Sequence, residues 1–215
     1  MTDIILEKIA AAYPLTELDV GDMASLKAHG MRFGVRAYRA EGLGHVSVMR
    51  ASGFFGLMRM DTLIINPKDV DLPLYSYDRI YAMGNDTLIV ELYDTTLTPF
   101  RDTALEAAKA SYASLPERDP GEHWYDAIKL PSSISKKGKR SATPEFDKLA
   151  LSHLEAYLAT PADSVSDRAL KGEKTSLYVE GLLQRGGPST DVFKKSLGID
   201  KCAELFRRHL FGTAD

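Results

Sequence analysis

Between residues 30 and 95 the chain alternates apolar and polar side chains with a period of two, in five successive runs. The runs are Met31–Arg39, His45–Arg50, Leu57–Ile65, Leu74–Met83 and Thr87–Tyr93, and turn-forming residues stand between them: Gly42 and Gly44, Gly53 and Gly56, Asn66-Pro67, and Gly84-Asn85. Period two sends successive side chains to opposite sides of an extended backbone, so each run reads as a strand. Most links are too short to hold a crossover helix. Neighbouring strands must therefore run antiparallel, in a meander that follows chain order.

Helical spacing occupies the rest. Ile5, Ile9 and Ala12 mark an amphipathic helix over residues 4–13, and Leu105, Ala108 and Tyr112 mark another over Thr103–Leu115. Thr143 and Pro144 read as an N-cap and first-turn proline opening a helix to about Leu158. A fourth runs near Ser164–Gln184 and stops at Gly186-Gly187, Pro188-Ser189-Thr190 opens a fifth that ends at Gly198, and Asp200–Leu210 is the last. Residues 115–144, with four prolines and the run Lys136-Lys137-Gly138-Lys139-Arg140, are expected to be a mobile lid or a disordered loop. Strands first and helices afterwards predict one α+β domain over 1–215: an α/β/α sandwich whose antiparallel sheet carries helices on both faces.

Composition narrows the function. Thirty acids against 27 bases give a formal charge of −3, without the basic excess of a nucleic-acid binder. Cys202 is the sole cysteine, which excludes an internal disulfide and a multi-cysteine metal site. His29, His45, His123, His153 and His209 show no metal-ligand spacing, so no metal is expected, and His153, His209 and Cys202 read as packed core or rim residues. No apolar run is long enough to span a bilayer, and the charged start of the chain is unlike a secretory leader. The expectation is a cytoplasmic protein with neither nucleic acid nor membrane as partner.

Chemistry concentrates between Leu72 and Tyr93. On the Leu74–Met83 strand, Leu74, Ser76, Asp78, Ile80 and Ala82 share one face, while Tyr75, Tyr77, Arg79 and Tyr81 share the other. Asp78 thus interrupts an apolar row in mid-sheet. A Gly84-Asn85 hairpin loop would set it opposite Glu91, and two carboxyls so placed cannot both ionise cheaply; one becomes a proton donor near neutral pH. A solvated face, or neutralisation by Arg79 and the tyrosines, is the alternative. Arg59 and Asp61 are also polar groups in an apolar row, readable as chemistry or as a structural salt bridge. The Lys136–Arg140 run is either a solvated loop or a landing site for an acidic partner.

Two segments resemble a known family, the ferredoxin-dependent bilin reductases and their relatives, which include red chlorophyll catabolite reductase. One is Leu72-Pro73-Leu74-Tyr75-Ser76-Tyr77-Asp78, entered from the 57–66 strand. The other is the C-terminal run from Tyr178 through Val192-Phe193-Lys194-Lys195-Ser196-Leu197-Gly198 to His209-Leu210-Phe211. The resemblance implies a cleft between sheet and helices for a linear tetrapyrrole, no bound metal or flavin, and electrons taken singly from an external ferredoxin. Asp78 would hold the position of the family's proton donor. Asp61 falls where the biliverdin-to-phycocyanobilin enzymes carry a histidine and Met49 where several members carry a glutamate. A further common aspartate falls near Gly187-Pro188, with no acid until Asp191. The implied site is therefore Asp78, Asp61 and Glu91 for proton handling, with Arg59, Met49, Ser76 and Arg79 against the substrate and Arg59 or Arg79 meeting a propionate. Lys136, Lys137, Lys139 and Arg140 would meet the acidic ferredoxin. Because only Asp78 matches by identity, a single reduction, a different linear tetrapyrrole, and binding without turnover are all implied readings.

Overall fold

The computed structural model describes residues 1–187 and 189–214. Its centre is an antiparallel sheet of eight strands: β1 (Leu15–Leu18), β2 (Leu26–Ala28), β3 (Met31–Ala40), β4 (Gly44–Gly53), β5 (Met58–Pro67), β6 (Leu74–Ala82), β7 (Asn85–Tyr93) and β8 (Ile134–Lys139). The order is β1-β3-β4-β5-β6-β7-β8, with β2 paired to the start of β3. All five strands expected from the alternation are present. Three short ones, β1, β2 and β8, join them at the margins.

Helices cover both faces. On the back face lie α1 (Thr2–Ala12), α2 (Thr103–Ala110) and α3 (Thr143–Ala159), whose Ile5, Ile9, Leu105, Phe146, Leu149 and Leu154 form a core with Tyr75, Tyr77, Leu88 and Val90 of the sheet. On the front face lie α4 (Arg168–Arg185), α5 (Thr190–Leu197) and α6 (Ile199–Glu204), the last running on into a π-helical turn over Leu205–Leu210. Tyr178, Val179, Phe193, Leu205 and Phe206 pack there against Phe33, Val35, Met49 and Ile64. Pro188, expected to help open α5, lies outside the described residues.

The C-terminal turn is latched to the sheet by hydrogen bonds that only polar front-face side chains can make. The ring nitrogen Nε2 of His45 meets the His209 carbonyl at 2.9 Å, the Ser47 hydroxyl donates to the Leu210 carbonyl at 2.7 Å, and the Asn66 amide donates to that of Phe211 at 2.7 Å. A π-turn leaves carbonyls exposed at a helix end, and these three donors satisfy them. Burial holds the His45 ring neutral, its pKa lowered to about 4. His153 and His209 are buried, and Cys202 is a fully buried thiol.

Two expectations are corrected. Residues 115–144 are not irregular throughout, because β8 pairs with β7 from Ile134↔Val90 to Asn85↔Lys139. Thr143 is not the cap of α3 but its first residue, and its hydroxyl donates to Asp86 instead of to its own helix.

Candidate active site: an apolar cleft floored by Asp78

The turn between β6 and β7 consists of Met83 and Gly84, both with positive φ (50° and 76°), the geometry of a two-residue I′ hairpin. This displaces the expected register by one residue on each strand. Asp78 pairs with Ile89 and Glu91 with Ser76, so the two acids are diagonal neighbours on one face, not direct partners. The parity of the strands is preserved, and so is the shared face.

Registers across the sheet set Asp78 in a row with Val35, Met49, Thr62, Ile89 and Ser135. Above that row, between the sheet and α4, α5 and the C-terminal turn, is a cleft enclosing about 890 Å³ of space with open solvent at its mouth included. Met49, Met60, Thr62, Ile64, Ser76, Asp78, Ile80, Ile89 and Glu91 form its floor; Tyr178, Leu182, Phe206, Leu210 and Phe211 form the far wall. Arg118, Pro120, His123 and Tyr125, from the segment expected to be a lid or loop, form the remaining side.

Burial among these apolar walls raises the Asp78 pKa from 3.8 to about 6. The hydrogen bond donated by the Thr62 hydroxyl opposes that rise, and the negative charge of Glu91 adds to it. Glu91 itself accepts a hydrogen bond from the Tyr93 hydroxyl at 2.6 Å and has the Lys129 ammonium 3.9 Å away. The Tyr93 ring lies against Tyr178 with centroids 4.2 Å apart and meets Tyr125 edge-on at 5.5 Å. Burial raises all three phenols, so they are neutral hydrogen-bonding groups around an acid. The arrangement can shelter an apolar molecule and offer it a proton up to about pH 6.

Of the residues singled out from the sequence, the fold brings Asp78, Glu91, Ser76 and Met49 together in this cleft. Asp61, Arg59 and Arg79 are not there. In antiparallel pairing Thr62 stands opposite Asp78, which turns Asp61 and Arg59 to the back of the sheet. They line a small recess there beside Met1, Thr2 and Asp3. Arg79 is fully buried on the back face, ion-paired with Asp86 at 2.6 Å and with Asp147 at 3.1 Å, and it has no access to a ligand. Lys136 is likewise withdrawn from any docking role: it is buried, its ammonium bonded to Glu117 and to the Leu115 carbonyl at 3.1 Å. Lys137, Lys139 and Arg140 remain exposed.

Thr62, Tyr93, Tyr125, Tyr178 and Arg118 were not singled out. Thr62 and Tyr93 carry the parity signal, since each shares a face with a residue paired to Ser76 or Asp78 or lies two residues from Glu91. Arg118 and Tyr125 carry none, because the segment that holds them has no periodicity to orient it.

No family model matches the chain, and no curated protein matches it by sequence. Among solved structures, it is similar to phytochromobilin synthase from tomato, crystallised in complex with biliverdin, with a TM-score of 0.77. The match covers 99% of this chain and 82% of that one at 14% sequence identity. The chain thus has the α+β fold of that protein, an antiparallel sheet flanked by helices.

Proposed function

We propose that the protein reduces an open-chain tetrapyrrole bound in the front-face cleft, with Asp78 as proton donor and electrons from an external ferredoxin. The observation that carries this reading is the Asp78 carboxyl, half-buried in the floor of an apolar cleft and protonated to about pH 6. The fold it shares with an enzyme crystallised around biliverdin supports the choice of ligand. Reduction of one double bond of the pigment consumes two electrons, each delivered by one reduced ferredoxin, and two protons. Asp78 passes its proton to the pigment radical and is reprotonated from solvent. The second proton comes from solvent at the mouth of the cleft, where Glu91 lies on the same floor. Desolvation serves both ends of the transfer, since it raises the acid's pKa and strengthens its attraction for a cationic pyrrole system. The Arg118 guanidinium at the side of the cleft meets a propionate, and Lys137, Lys139 and Arg140 meet the acidic ferredoxin.

A second reading, a tetrapyrrole-binding protein without turnover, is favoured by Thr62: the residue directly opposite Asp78 cannot exchange a proton at neutral pH. One experiment separates the two. Biliverdin added to the purified protein is expected to develop a red-shifted, structured absorbance, and a ferredoxin reducing system then converts it. Asp78→Asn keeps the binding spectrum and accumulates a radical or stalls. Binding without product in the wild type supports the second reading; no spectral change with any linear tetrapyrrole sinks both.

A further inference from the structure

Four non-glycine residues have positive φ among the described residues: His29, Phe54, Phe55 and Met83. All four sit in turns at one end of the sheet, because Ala28↔Met31, Gly53↔Met58 and Met58↔Ala82 place the β2–β3, β4–β5 and β6–β7 connections side by side. A left-handed backbone is costly for side chains with a Cβ and persists where it serves a purpose. Here it projects large apolar groups into water. Phe55 is fully exposed, Met83 is 90% exposed, and Leu57 and Phe54 are 69% and 56% exposed. Apolar side chains on convex tips have no groove to offer a protein partner, but they suit insertion into a fluid interface.

The exposed charge beside the tips is mainly positive. On the back of the same sheet end, registers Lys27↔Arg32, Arg32↔Ser52 and Ser52↔Arg59 align three exposed bases in one row, two residues from Phe54. The Arg59 guanidinium rests over the Tyr81 ring at 5.4 Å. Of the nearby acids, Asp86 and Asp147 are engaged by Arg79, Asp3 is paired with Arg50, and Asp61 lies one row further in. Local charge is thus positive in a chain whose formal net charge is −3. On the front of the sheet, Met58, Met60 and Ile80 continue the apolar stripe from these tips to the cleft floor.

We propose that this end of the sheet is a peripheral docking site for an anionic lipid bilayer, with Phe54, Phe55, Leu57 and Met83 inserted among the acyl chains and Lys27, Arg32 and Arg59 against the headgroups. No helix among the described residues is long and apolar enough to cross a membrane, and none is needed for this attachment. The site stands whether or not the cleft turns over a pigment.

The test is vesicle flotation at low ionic strength with the full chain, on phosphatidylcholine vesicles with and without phosphatidylglycerol. The wild type is expected to float with the phosphatidylglycerol vesicles and to be released by salt. Phe55→Ser combined with Met83→Asn loses roughly tenfold or more of that affinity. Arg59→Gln weakens binding and flattens its salt dependence, whereas Arg39→Gln, at the opposite end of the sheet, leaves it unchanged. All these positions are exposed, so circular dichroism should show the fold intact. Absence of flotation by the wild type, or flotation indifferent to Phe55→Ser/Met83→Asn, overturns the proposal. A wild-type dimer that the same double variant converts to monomer also overturns it, in favour of a second copy covering the tips.

Discussion

Asp78 and Glu91 occupy the same face of adjacent strands one pairing step apart, Asp78 across from Ile89 and Glu91 across from Ser76. At that diagonal spacing, roughly 7–8 Å between backbones, two carboxylates feel each other without sharing a proton. The main influence on Asp78 is therefore desolvation, tuned from two sides by Thr62 and Glu91. Removing the Thr62 hydroxyl raises the pKa, and removing the Glu91 charge lowers it. Carbon-detected NMR titration should order the Asp78 carboxyl as Thr62→Val above wild type above Glu91→Gln. The reverse order would mean that Thr62 does not donate to the Asp78 carboxylate and that the Glu91 charge does not act on it.

The same shift has a consequence for stability. The folded-state pKa of about 6 exceeds the ordinary carboxyl value of 3.8, so between those pH values the native state holds a proton that the unfolded chain has released. Stability is greatest below about pH 4 with respect to this group, falls as pH rises through 6, and stays reduced above. Asp78→Asn removes the burden of a buried carboxylate. It should stabilise the protein at pH 7.5 by an amount on the order of 1–3 kcal/mol and have little effect at pH 4. Urea denaturation at the two pH values reads the difference directly; an equal effect at both would dismiss the raised pKa.

How far the sequence alone discloses this site depends on which physical signal each residue carries. Alternation reveals β3 to β7 and places Asp78 among apolar neighbours, because parity survives small errors in strand ends. It cannot tell which side of the sheet holds the cleft, since helices cover both faces and both rows are apolar. Asp61 and Arg59 therefore read as site residues in the sequence, although they turn to the opposite face. Register failed at the β6–β7 hairpin for a different reason: Met83, a long unbranched side chain, takes a left-handed turn position that Gly84-Asn85 would fill with less strain. The strand β8 was hidden because Ile-Ser-Lys-Lys-Gly-Lys reads as solvated, although Lys136 is buried and charge-paired. The segment 118–125 became a wall of the cleft through long-range packing of Trp124 and Tyr125, which leaves no local trace.

Behind the sheet, Arg79 and Asp86 are both fully buried and meet at 2.6 Å. Truncating one partner strands a charge in a dry interior. Asp86→Ala should cost about 3–5 kcal/mol, while Arg79→Met combined with Asp86→Leu costs much less, since the double variant leaves only the partly exposed Asp147 without its partner. Chemical denaturation of the two single variants and the double variant closes the cycle. A double variant no more stable than Asp86→Ala would show that the pair itself, with its contacts to Asp147 and the Thr143 carbonyl, organises the start of α3.

Gly181, in the middle of α4, marks a close approach. A Cβ there would lie 2.1 Å from the Trp124 ring, whose Nε1 donates to the Gly186 carbonyl at 3.1 Å. In an open helix, alanine for glycine stabilises by about 1 kcal/mol. At this position Gly181→Ala must instead push the indole outward, and with it the His123 and Tyr125 side of the cleft. Trp124 is the one tryptophan of the chain, so its emission reports the displacement without labelling. A red-shifted spectrum together with a weakened response to biliverdin is expected. An unchanged spectrum with a higher melting temperature would mean that Trp124 yields freely and that this wall does not shape the cleft.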